Sequence, residues 1–177
     1  MRTQAAAIAI GFALAATPTA AKSPLSGCDA FTAALRADAS ELQVDFTHAI
    51  VVSRARSDEN VFDITTSGDV DGVLTCRGDT LARFEARVVE PASARAATNF
   101  ERLEQAALRA ALGWDAAKAK AKARAMNADA KEYLRASRER GDVYISGKTE
   151  EHLPGGVSLG VIETDTDRAF VIVGADY

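Results

Sequence analysis

The sequence predicts an α+β fold, and three observations carry that prediction. Residues 42–88 hold short runs in which apolar and polar residues alternate. Residues 93–140 switch to a helical period, and residues 143–173 return to apolar, strand-like runs. Strands grouped beside helices, rather than alternating with them, point to helices packed on one face of an antiparallel sheet. The expected order is a short N-terminal helix, an antiparallel β-meander, one or two helical segments and a C-terminal β-hairpin.

The first residues read as an export signal. Arg2 and the free amine make a positive start, residues 5–16 are uncharged and apolar, and Pro18 ends the run. Thr19, Ala20 and Ala21 supply the small residues a signal peptidase requires, so cleavage is expected after Ala21. The run is well short of the roughly 20 apolar residues that span a bilayer, and no later segment approaches that length. The expected organisation is therefore a cleaved signal over residues 1–21, a lead-in over 22–27 and a single α+β domain over 28–177. The expected location is periplasmic or secreted, without a transmembrane segment in the mature chain. Leu25-Ser26-Gly27-Cys28 also has the letters of a lipobox. Lipid anchoring through Cys28, at an inner or outer membrane, is the competing reading, although Lys22 and Pro24 interrupt the uncharged approach such signals usually have.

Cys28 and Cys76 are the two cysteines of the chain. An even count in an exported protein favours their pairing. Closing that loop would stabilise the fold by roughly 4 kcal/mol.

Along the chain, Ser26 and Asp29 read as a helix start, after which Phe31, Ala34, Leu35 and Ala39 share one face. Residues 42–52 read as a first strand, 61–66 as a second with Phe62 and Ile64 on one side, and 70–76 as a third. Arg77-Gly78-Asp79 reads as a hairpin tip. A three-residue loop there would set Leu74 opposite Ala82 and Cys76 opposite Thr80; a two-residue loop would reverse the faces. In the returning strand Ala82, Phe84, Ala86 and Val88 alternate with Arg83, Glu85 and Arg87, giving an apolar face and a charged one.

Past Pro91, Phe100, Leu103, Ala107, Ala110 or Ala111 and Trp114 recur at helical spacing. Gly113 is a kink or an end. Residues 116–140 form a second helical stretch whose apolar anchors are Met126, Ala130, Tyr133 and Leu134, stopped by Gly141. A short strand is expected over 143–146, then a polar loop through Gly156, then the hairpin of residues 157–163 and 169–173. The turn between them would pair Glu163 with Arg168 as a cross-strand ion pair. This element order is similar to that of small secretion-chaperone and cystatin-like folds, with no motif that assigns a family.

Function is less legible. The net charge of −4 excludes a global positive field for nucleic acid. The strongest local anomaly is residues 115–140, with eight basic residues against four acids. Lys118, Lys120, Lys122 and Arg124, with Trp114 beside them, are the candidate contact residues for an envelope partner protein or an apolar or anionic ligand. Alanines separate the four, and a 100° step spreads them around the helix, so a solvated helix facing an acidic remainder is the plainer reading. Glu150-Glu151-His152 could supply a general base, and Gly156-Val157-Ser158-Leu159-Gly160 has the letters of a nucleophile elbow. The elbow needs a strand before its Ser and a helix after it; here a Gly-rich loop precedes and an apolar run follows. Neither a metal nor a cofactor is expected. The leading expectation is a non-enzymatic binding module, and the alternative is a hydrolase using carboxylates and His152, with Ser158 as nucleophile.

Overall fold

A computed structural model describes residues 27–44, 51–55, 58–66 and 70–174. The export signal, most of the lead-in and His48 lie outside the described residues. Ten elements follow in order: α1 (Cys28–Glu41), β1 (Val51–Ala55), β2 (Glu59–Thr65), β3 (Val70–Arg77), β4 (Thr80–Val89), α2 (Ala94–Leu112), α3 (Ala116–Arg140), β5 (Ser146–His152), β6 (Ser158–Thr164) and β7 (Asp167–Val173). Among the described residues the strands form one antiparallel sheet in the order β1-β2-β3-β4-β7-β6-β5. Two meanders thus meet where β4 pairs with β7, and the α2–α3 hairpin carries the chain from one to the other. The predicted α+β class and its layout of helices on one sheet face are correct.

The core lies between that face and the helices. Leu74, Phe84, Ala86, Val88, Leu159, Val161, Phe170 and Ile172 from the sheet close against Phe31, Leu35, Phe100, Leu103, Ala107 and Met126. On β4 the opposite face carries Arg83, Glu85 and Arg87, tied into ion pairs with one another and with Asp167. This is the two-faced strand that the alternation predicts.

The β3–β4 hairpin combines both turn readings. Its loop is two residues, with Arg77 opposite Thr80 and Cys76 opposite Leu81. A bulge then shifts the register, so that Thr75 faces Arg83 and Leu74 faces Phe84. One extra residue on β4 reverses which face each side chain takes. Leu81, not Ala82, therefore joins Phe84 in the core cluster, and Cys76 stays on the core side despite the shorter loop.

There Cys76 is bonded to Cys28, with Cα atoms 6.0 Å apart. The backbone N–H of Cys28 also donates to Asp79 O at 2.6 Å. Gly27, not Ser26, occupies the N-cap position. A Cβ on it would stand 2.8 Å from Asp79 O, so the chain enters α1 through a gap that suits glycine. A sulfur held in a disulfide has no thiolate left to alkylate, so this bond and a lipid at Cys28 are mutually exclusive.

Three element boundaries differ from expectation. Leu42 and Gln43 form a turn after α1, and β1 begins at Val51, with residues 45–50 outside the described residues. Val143 and Tyr144 are not strand but exposed, at 91% and 87%. The strand begins at Ser146 instead and includes Glu150, Glu151 and His152, which the sequence places in a loop. Its signal is weak because its inward positions are Gly147, Thr149 and Glu151, none of them a large apolar residue. Gly147 is required there: a Cβ would lie 1.8 Å from Ala130 O, so β5 runs directly against the backbone of α3.

The helices end where their glycines predict. Gly113 and Gly141 take φ of 63° and 69° and cap α2 and α3. α3 packs through Ala119, Ala123, Met126, Ala130 and Leu134, whereas Tyr133 is 57% exposed. Alanines, read as filler between lysines, are the contact surface. Their small size is what allows the helix so close to the sheet.

Candidate functional site

The predicted basic cluster divides over three surroundings. Helical geometry puts Lys118 and Lys122 on one side of α3 and Lys120 and Arg124 on another. Lys118 Nζ lies 4.2 Å above the Trp114 ring, and Lys122 pairs with Glu151 of β5. The five predicted residues therefore do not form one surface. Lys120 and Arg124 do converge, with Arg102 of α2, on a recess of about 350 Å³. Thr98 and Gln105 add polar groups, and the end of α1 closes the side. None of the three cations forms an ion pair with a described residue. Of the acids on the rim, Glu41 is held by Arg109 at 2.7 Å, and that guanidinium keeps its carboxyl below the ordinary range. Glu101 is the remaining acid. Arg102 was not singled out from the sequence, because only the α2–α3 crossing brings it to the lysine.

The hydrolase constellation is partly assembled. His152 and Ser158 face each other across β5 and β6, with Nδ1 and Oγ 2.7 Å apart. Glu150 Oε1 lies 3.8 Å from His152 Nε2. Ser158 opens β6 and is followed by strand, not by the helix a nucleophile elbow needs. The His152 side chain is 76% exposed, and the Glu150 carboxylate is bound to Lys148 at 2.7 Å, which lowers its pKa. A base that water surrounds, beside a carboxylate already engaged, has little to fix its orientation.

A buried polar network was missed. Arg168 is 4% exposed on the helix-facing side of β7. Its Nε donates to Glu90 Oε1 at 3.0 Å and its Nη1 to Asn127 Oδ1 at 3.2 Å, while the guanidinium lies 5.2 Å from the Phe100 ring centre. Asn127 Nδ2 in turn donates to Glu104 Oε2 at 2.7 Å and to Ala123 O at 2.9 Å. Glu163 does sit opposite Arg168, as predicted. The ion pair expected between them is not formed, because the donors of Arg168 go to Glu90 and Asn127. Burial pushes Glu90 upward, but the Ala92 N–H and Arg168 outweigh it and hold the carboxyl below its ordinary range.

Phase was the signal available for these residues. Glu104 lies four positions after Phe100 and three before Ala107, Asn127 four after Ala123, and Arg168 two before Phe170. Each is in step with a predicted or observed core stripe.

Glu104 is 0% exposed, and its Oε1 has no hydrogen-bond partner among the described residues. Desolvation raises its pKa well above the ordinary value, against the lowering influence of Asn127, Arg168 and Lys131. The unfolded chain gives up this proton at the ordinary carboxylate pKa, whereas the fold retains it. The contribution of this carboxyl to stability is therefore fullest at acid pH and falls by about 1.4 kcal/mol per unit as pH rises between the two values. Glu104→Gln removes that slope. Its melting temperature should exceed the parent's at pH 8 and converge with it near pH 4; parallel curves would sink the assignment.

Among the described residues, no helix is long and apolar enough to cross a membrane. In comparisons with known proteins, no family model matches this chain, and no curated protein or solved structure matches it either.

Proposed function

We propose that this chain is an exported, non-enzymatic binding module of the cell envelope, and that the recess between α2 and α3 receives an anionic group of its ligand or partner. The supporting observation is the convergence of Arg102, Lys120 and Arg124 without ion-pair partners among the described residues. With Glu41 engaged by Arg109, three cations face one remaining acid, Glu101, so a net positive charge is left that a bound anion offsets while accepting charge-assisted hydrogen bonds. Export rests on the N-terminal signal pattern, with which the Cys28–Cys76 bond agrees, since disulfides persist in oxidising compartments.

Calorimetric titration with pyrophosphate and with a sulfated disaccharide tests the reading. Lys120→Gln/Arg124→Gln should weaken uptake about tenfold or more. Equal uptake by parent and variant, or none by the parent, removes the recess as a binding site.

The 2.7 Å contact between His152 and Ser158 favours a second reading, a hydrolase. Labelling of Ser158 by a fluorophosphonate, lost in His152→Ala, would support it. An unlabelled protein counts against it.

A further inference from the structure

A second recess lies further along α3, beside its C-terminal half, where the buried network reaches the surface. Glu163 is 7% exposed, and its Oε2 is enclosed without a donor among the described residues. Burial pushes its carboxyl above the ordinary range, and the nearby charges of Arg168 and Lys131 only partly offset this. A carboxylate in that position is short of hydrogen-bond donors. It lines a recess of about 250 Å³ with Lys131, Leu134 and Arg138 of α3 and with Pro91 at the β4–α2 corner.

Most of the charges around this recess are already matched. Glu90 is paired with Arg168, and Asp165 with Arg138. Two groups are left over. The Glu163 carboxyl accepts no hydrogen bond from a described residue, and the exposed Lys131 forms no ion pair with one. The acids and the bases then balance, so a ligand with a net charge would unbalance the site and one carrying both signs would not. Leu134 and Pro91 give the same recess an apolar wall.

We propose that this recess binds a free neutral α-amino acid, its ammonium donating to Glu163, its carboxylate meeting Lys131 and its side chain resting on Leu134 and Pro91. The ammonium meets the Glu163 carboxylate at Oε1, the oxygen that is not enclosed, and the carboxylate gives Lys131, which the surrounding acids engage only through space, a direct partner. The α-carbon joins the two ends at a spacing short enough for so small a recess. The two recesses share no lining residue, so recognition of this kind is independent of the anion recess nearer the start of α3.

The test uses the full-length, disulfide-bonded protein and ligand-observed NMR with a panel of neutral L-amino acids, L-leucine among them. Binding of at least one member is expected. Its N-acetyl derivative, which lacks the ammonium, should not bind, and its amide should bind more weakly. Glu163→Gln and, separately, Lys131→Met should each weaken binding about tenfold or more, while Lys120→Gln/Arg124→Gln leaves it unchanged. The proposal is overturned if no member of the panel binds, or if the N-acetyl derivative binds as well as the free amino acid. Undiminished binding to a Glu163→Gln protein with parental melting behaviour overturns it as well. The derivatives are measured on the parent protein, so the outcome does not depend on either variant folding.

Discussion

Arg168→Met is expected to lower the unfolding free energy at neutral pH by about 3–5 kcal/mol, the usual consequence of removing one partner from a buried ionic network. The methionine keeps the apolar stem and much of the packing on Phe100, so the loss measures the guanidinium. Asn127 Oδ1 loses the donor it had at 3.2 Å. Glu90, whose side chain is 17% exposed, keeps the Ala92 N–H but loses its counter-charge. Glu104 loses a neighbouring cation that opposes its raised pKa. Urea denaturation would measure the change. A second substitution, Glu90→Gln, should recover part of it, because a neutral amide at that site no longer needs a cation. A loss below about 1 kcal/mol would assign the network no more weight than a surface ion pair.

Removing the disulfide should have an effect of similar size. Its cysteines are 48 residues apart, and opening a loop of that length costs about 4 kcal/mol on the chain-entropy account. Cys28→Ala/Cys76→Ala, compared with the oxidised parent by urea denaturation, is expected to show that loss. Hydrogen exchange should find the first turn of α1 opening earliest, since the bond and the Cys28–Asp79 hydrogen bond are what fasten it to the β3–β4 hairpin. If the alanine pair costs less than about 1 kcal/mol, the unfolded chain is already compact enough that the link restricts little.

The legible parts of the fold were those with large apolar residues at a regular period. Phe31 and Leu35, Phe84 to Val88, Phe100 to Ala107, and Phe170 with Ile172 each mark an element and its buried face. What escaped notice had a different chemistry. β5 has Gly147 at an inward position, so its burial comes from α3 backbone rather than from an apolar side chain. The alanines of α3 look neutral in sequence because an Ala stripe gains meaning only when another element comes close. The bulge in β4 cannot be read from alternation, since one inserted residue leaves both halves in phase with themselves. At the candidate sites, the sequence marked Lys120 and Arg124 but grouped them with Lys118 and Lys122, which the helix turns elsewhere. Arg102 depends on how α2 crosses α3. Glu104, Asn127 and Arg168 were in phase with the core, and treating charged residues as surface by default passed over them.

The cysteine inventory also simplifies how this protein reaches its native state. With two cysteines in the chain, a single intramolecular pairing exists. No scrambled isomer can accumulate within one molecule, and no shuffling catalyst is needed to resolve one. Forming the bond requires an electron acceptor alone. Any wrong pairing must then join two copies of the chain, a reaction that grows with the concentration of unoxidised molecules, whereas the native pairing does not.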